Sequence, residues 1–116
     1  MRFKLLLALT DDARVEAVLQ AARNAGATGA TVITGARGEG LKPEKTFLGL
    51  DLTRHRNVVL LVVEEHLSST ILERIAVAGS FDQEPGSGIA VQIAIEDAVG
   101  LTSQIRELAK KVGDEL

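Results

Sequence analysis

The chain has no cysteine, tryptophan or tyrosine, and only one methionine, two prolines and three phenylalanines. Without cysteine there are no disulfides, no zinc–thiolate sites and no cysteine nucleophile, which is compatible with a reducing compartment. Aromatics at 3% against 46% hydrophobic residues leave the core aliphatic. Long apolar runs are missing too. Leu5 to Leu9 is too short for the core of a signal peptide and runs at once into Asp11 and Asp12. Val58 to Val63, bounded by Asn57 and Glu64, falls far short of a membrane span. Positive charge is not in excess, since 13 basic residues face 16 acidic ones for a formal charge of -3. That balance argues against nucleic acid or an anionic membrane as partner. We expect a cytoplasmic protein with no membrane insertion, and 116 residues fit one domain, 1–116, around one core.

What is present divides into two halves with one plan. Phe3 to Leu9 predicts a strand, and Thr10-Asp11-Asp12 a helix start in which Thr10 or Asp11 caps the orphan amides. Val15, Val18, Leu19 and Ala22 give that helix one apolar face, and Gly26 stops it. Ala30 to Ile33 predicts the second strand. The second half repeats the scheme: Val58 to Val63 as a strand, Ser68-Ser69-Thr70 with Glu73 as caps, a helix bearing Ile71, Ile75 and Ala78, and Gly79 as its end. LQAARNAG (Leu19 to Gly26) and LERIAVAG (Leu72 to Gly79) match in pattern. A last strand, Ile89 to Ile95, alternates Ile89, Val91, Ile93 and Ile95 with Ala90, Gln92 and Ala94.

Two such βαβ units predict an α+β fold, a ferredoxin-like βαββαβ sandwich with both helices on one side of an antiparallel sheet. The other sheet face is then uncovered, and self-association with closed symmetry is the expected way to cover it. Leu101, Ile105, Leu108 and Val112 predict a C-terminal amphipathic helix at about 101–112.

Two connections are longer than architecture demands. One, about Gly35 to Asn57, opens in the glycine-rich stretch TGARGEG (Thr34 to Gly40); the other, Ser80 to Gly88, holds Pro85-Gly86 and Gly88. Metal and catalysis find little support. His66 beside Glu64 and Glu65, and His55, lack a third ligand at a suitable spacing, and Asp82, Glu84, Glu96 and Asp97 define no acid–base pair. Neither a metal site nor an enzyme is expected.

Three short motifs, in order, resemble the P-II signal transduction proteins, trimeric ferredoxin-like regulators of nitrogen and carbon metabolism. Gly26-Ala27-Thr28-Gly29-Ala30-Thr31-Val32 resembles that family's Gly-Ile-Thr-Gly-Met-Thr-Val; Gly35-Ala36-Arg37-Gly38 is similar to its Gly-Phe-Gly-Arg; Gly86-Ser87-Gly88-Ile89 is similar to its Gly-Asp-Gly-Lys. The resemblance implies a homotrimer with clefts between subunits that bind a small anionic effector, with ATP, ADP or AMP as candidates and no obligatory cofactor. By the same resemblance Thr31 contacts adenine, backbone amides of Gly35, Gly38, Gly86, Ser87 and Gly88 face phosphate, and Arg37 and Arg56 supply charge. The segment about 35–57 is then the mobile T-loop that regulates a partner, a transporter or a metabolic enzyme, and 80–88 is the B-loop. The chain also departs from the family. Ile89 replaces the B-loop lysine, Gly100 and Thr102 stand near the positions of two arginines, the glutamine after Gly-Phe-Gly-Arg has no counterpart, and no tyrosine exists to be uridylylated. A divergent P-II-like member is expected. Two alternatives stand beside it: a CutA-like trimer taking divalent metal through His66, His55 or acidic residues, and an assembly module with no ligand.

Overall fold

A computed structural model of the chain describes residues 2–36, 46–47, 50–51 and 56–101. The elements follow as β1 (Phe3–Thr10), α1 (Asp12–Asn24), β2 (Thr31–Ala36), β3 (Thr46–Phe47), β4 (Leu50–Asp51), β5 (Arg56–Glu64), α2 (Glu65–Gly79) and β6 (Gly88–Ala94). Strands β2, β5, β1 and β6 pair in that order into one antiparallel sheet, while β3 and β4 form a separate two-stranded ribbon within the β2–β5 connection. This is the expected α+β, ferredoxin-like βαββαβ arrangement. The first strands of the two halves, β1 and β5, are central, and each half's second strand flanks the other half's first.

Period-two alternation decides which side chains meet the helices. Leu6 and Ala8 of β1 and Val59, Leu61 and Val63 of β5 join Val15, Val18, Leu19 and Ala22 of α1 and Ile71 and Ile75 of α2 in one buried cluster. Each large aliphatic side chain buried there contributes roughly 1.5–3 kcal/mol. On the opposite face Leu7 lies between Leu60 and Val91, Leu5 between Val62 and Ile93, and Leu9 between Val58 and Ile89. Among the described residues no helix covers this second apolar layer, and Ile33, Val91 and Ile93 are 48%, 42% and 44% exposed on it. Among the described residues no helix is long and apolar enough to cross a membrane.

Helix α1 follows the sequence reading, with Asp11 as its cap and Gly26, at φ +113, just past its end. Helix α2 starts earlier than the Ser68-Ser69-Thr70 cap predicted. Its first residue is Glu65, and the Glu64 side chain accepts from the His66 amide at 3.0 Å. Ser68 is instead buried inside the helix, donating to Glu65 O and to Gln92 Oε1, both at 2.9 Å. A serine hydroxyl in mid-helix finds a carbonyl one turn back as readily as it caps an end. That contact also settles the two faces of β6: Ala90 and Gln92 look toward α2, and the bulkier Ile89, Val91 and Ile93 look toward the open face.

Strand β2 is displaced from the predicted Ala30 to Ile33, because pairing resumes after a bulge. Ile33 is opposite Val58 and Ala36 is opposite Arg56, so Thr34 and Gly35 together face Asn57. Gly35 has φ +72, which a glycine adopts without strain, and that is what lets the strand continue. Gly35 and Ala36 therefore belong to β2, and Arg56 and Asn57 to β5, so the long connection is 37–55, shorter at both ends than expected. The predicted C-terminal helix, beyond Leu101, lies outside the described residues.

Candidate effector site

Antiparallel pairing of β1 with β5 and β6 brings three remote pieces of chain to one end of the sheet: Thr10 opposite Asn57 on one side and opposite Gly88 on the other. Thr10, fully buried, donates from Oγ1 to Ser87 O at 3.1 Å. The next residue, Asp11, caps α1 by accepting from the Arg14 amide at 3.1 Å, and its Oδ2 pairs with Arg14 NH1 at 2.5 Å. A cap with a β-region backbone is what a carboxylate at a helix N-terminus favours, since it meets both orphan amides and the positive dipole end. Arg14 reaches further, and its other guanidinium nitrogen pairs with Glu84 of the α2–β6 loop. From β5, Arg56 is 5% exposed with NH1 4.0 Å from Asp11 Oδ2, and Asn57 donates to Asp12 Oδ1 at 2.5 Å. Asn57 Oδ1 is buried with no hydrogen-bond partner among the described residues. Of the three carboxylates named here, Asp11 and Glu84 pair with Arg14, Asp11 also faces Arg56, and Asp12 is held by the neutral Asn57 amide.

The loop between α2 and β6 is folded on itself. α2 ends in a Schellman motif, with Ser80 N–H donating to Val77 O and Phe81 N–H to Ala76 O, and Ser80 takes the left-handed conformation at φ 56. The Ser80 carbonyl accepts from the amides of Gln83 and Glu84 at 3.2 and 2.9 Å and from Ser87 Oγ at 2.9 Å. The Ser87 amide donates to Glu84 O at 3.1 Å. The Phe81 ring packs so closely on Gly79 and Gly88 that a Cβ at either would stand 2.2 or 2.4 Å from it, and at Gly88 also 2.5 Å from Leu9 O. Gly88 is thus a close-approach residue.

The predicted site residues fall in three places. Arg56, Ser87 and Gly88 are gathered at this end of the sheet, with Gly86 beside them at φ +80. Gly35 stands near Arg56 across the β2 bulge. Thr31 is apart: it opens β2, exposed, opposite Leu60, and so at the far edge of the sheet from β6. Arg37 and Gly38 lie outside the described residues, as does His55. The guanidinium of Arg56 is drawn inward toward Asp11, and the Ser87 amide is engaged by its own turn, so neither presents itself to solvent in this conformation. Reasoning from sequence missed Thr10, Arg14, Asn57 and Glu84, whose roles come from contacts between elements. Thr10 and Asp11 carried a local signal as alternative helix caps, and Asp11 is the cap. Among the described residues no three His, Asp or Glu side chains are placed to hold a metal ion, and His66 pairs with Glu64. The opposite end of the sheet holds an open cleft lined by Arg2, Lys4, Glu65, Glu96 and Asp97.

The fold is a split βαβ sandwich with a long β2–β5 connection and a glycine-bearing turn ahead of its last strand. The family model of the nitrogen regulatory protein P-II matches residues 3–104, and the chain belongs to that family. Among solved structures it is similar to CPII from Thiomonas intermedia K12 bound to ADP, AMP and acetate, at 20% identity and a TM-score of 0.63 over 83% of this chain and 88% of that one. The apo form of CPII, a nitrogen regulatory PII-like protein from the same organism, is similar at 20% identity and a TM-score of 0.64, over 82% and 90%. No curated protein matches the sequence significantly.

Proposed function

We propose that this protein is a P-II-like regulator, not an enzyme, that binds an adenine nucleotide in clefts between the subunits of a homotrimer and signals to a transporter or metabolic enzyme through segment 37–55. The observation that carries the reading is the separation of Thr31 from Gly86, Ser87 and Gly88. They stand on opposite edges of a four-stranded sheet, three strand spacings or about 14 Å apart. The path between them runs diagonally over the apolar layer of Leu60, Val58, Leu7 and Leu9, because Thr31 is level with Leu7 and Gly88 with Thr10. A polar ligand touching both therefore needs the β2 edge of one copy beside the β6 edge of another, and a closed cyclic assembly supplies that arrangement. Covering Ile33, Val91 and Ile93 gives the assembly its driving force. The bound ADP and AMP in CPII, a protein of the same fold, favour an adenine nucleotide as the effector. The ligand need only bind one arrangement of 37–55 better than another to shift its population.

Size-exclusion chromatography with light scattering and calorimetric titration of ATP, ADP and AMP test this together. A trimer that binds at least one of the three, with affinity reduced in Thr31→Ala, is the expected result. A monomer, or a trimer that gives no heat with any of them, contradicts it.

A further inference from the structure

Arg14 was no part of the sequence expectation, yet it is the side chain that ties the α2–β6 loop to the start of α1. It holds Asp11 with one guanidinium nitrogen and Glu84 with another. The two carboxylates differ. Asp11 is a helix cap with its side chain 18% exposed, fixed by its bond to the Arg14 amide, whereas the Glu84 side chain is 58% exposed and has no other contact that fixes it in the hydrogen-bond network described. Residue 84 acts twice in the loop: its carboxylate pairs with Arg14, and its carbonyl accepts the Ser87 amide.

Resting on the effector reading above, we propose that Arg14 receives the phosphate end of the effector and that Glu84 is its built-in competitor. A phosphate oxygen replaces the Glu84 carboxylate on the guanidinium fork, which suits either oxyanion in the same geometry. Release of Glu84 removes the tether between α1 and the 84–87 turn, while the Ser87 N–H stays with the Glu84 carbonyl and the guanidinium is the donor set free. The family's B-loop lysine is Ile89 here, and Arg14 provides a cation at this loop from a different element. The competitor also sets a threshold: the ligand must carry enough negative charge to displace a carboxylate that costs nothing to bring in.

Calorimetry with ADP on the full chain decides this, using Glu84→Gln, Arg14→Gln, the double variant, and Asp82→Asn as a control of equal charge change on the same loop. Both Arg14 and Glu84 lie at the surface of folded elements, and circular dichroism verifies that each variant is folded. Glu84→Gln is expected to tighten ADP binding about two- to fivefold, the size of an exposed ion pair. Arg14→Gln weakens binding about tenfold or more, as loss of a charged hydrogen bond does. The double variant binds like Arg14→Gln, because Glu84 acts only through Arg14, and Asp82→Asn changes affinity less than Glu84→Gln. Equal tightening by Asp82→Asn and Glu84→Gln, or tightening by Glu84→Gln that persists without Arg14, overturns the competitor in favour of a general field. Unaltered binding in Arg14→Gln overturns the assignment while leaving the effector reading standing. Absence of ADP binding in both the wild type and Glu84→Gln removes the effector reading and this inference with it.

Discussion

The two strand-to-helix junctions of this protein are built to one plan and do different things. At the first, Thr10-Asp11-Asp12, every side chain crosses to another element: Thr10 to the α2–β6 loop, Asp11 toward Arg56 of β5, Asp12 to Asn57. At the second, Glu64-Glu65-His66, the side-chain contacts are local, Glu64 capping its own helix and pairing with His66. Antiparallel pairing puts these junctions at opposite ends of the sheet. One end is interlocked through side chains from three regions of the chain, and the other opens into a cleft. An internal duplication of architecture thus leaves one junction free to be elaborated into a network between elements while its twin remains a plain helix start.

Substitutions that respect the fold but strike one end should reveal that asymmetry in urea unfolding. The largest effect is expected from glycine. Gly88→Ala forces a methyl group against Leu9 O and the Phe81 ring and should cost about 2–3 kcal/mol, whereas Gly100→Ala at the cleft end meets open space and should cost only about 1 kcal/mol through its φ of +89. Equal costs would erase the distinction. Next come the two caps. Asp11→Ala removes a cap and its pairings with Arg14 and Arg56, and about 2 kcal/mol is expected; Glu64→Ala removes a local cap and should cost about 0.5 kcal/mol. The smallest effect sharpens the loop end alone: Ser80→Gly relieves a left-handed serine while keeping the carbonyl that gathers the loop, and should raise stability by about 0.5 kcal/mol.

Much of the fold was legible in the chain because it depends on local periodicity. Val15, Val18, Leu19 and Ala22 face the core as their spacing predicts, and β1, β5 and β6 lie within a residue or two of the expected bounds. The start of α2 was hidden by a better-looking cap, Ser68-Ser69-Thr70, since a serine's choice between capping an end and bonding back along the helix depends on what packs against it, here Gln92. Gly35 read as the start of a long connection and is part of a strand's bulge, a difference set by what Arg56 and Val58 pair with across the sheet. The site was the least legible part. Its contacts join Thr10 with Ser87, Arg14 with Glu84 and Asp12 with Asn57, pairs far apart in sequence with no shared motif. Of the residues in the glycine and arginine motifs, Gly35, Gly86, Ser87 and Gly88 lie toward this end of the sheet with Arg56, and the side chains that join the elements there follow from topology.

The central claim is that the effector is held between copies, and one measurement reaches it most directly: ADP calorimetry on Val91→Asp, which places a charge on the exposed apolar layer at a position paired with Leu7, three residues along β6 from Gly88. A folded monomer that no longer binds ADP, beside a wild-type trimer that does, is the predicted result. A folded monomer that binds ADP as tightly as the wild type would place the whole site within one copy and contradict the account.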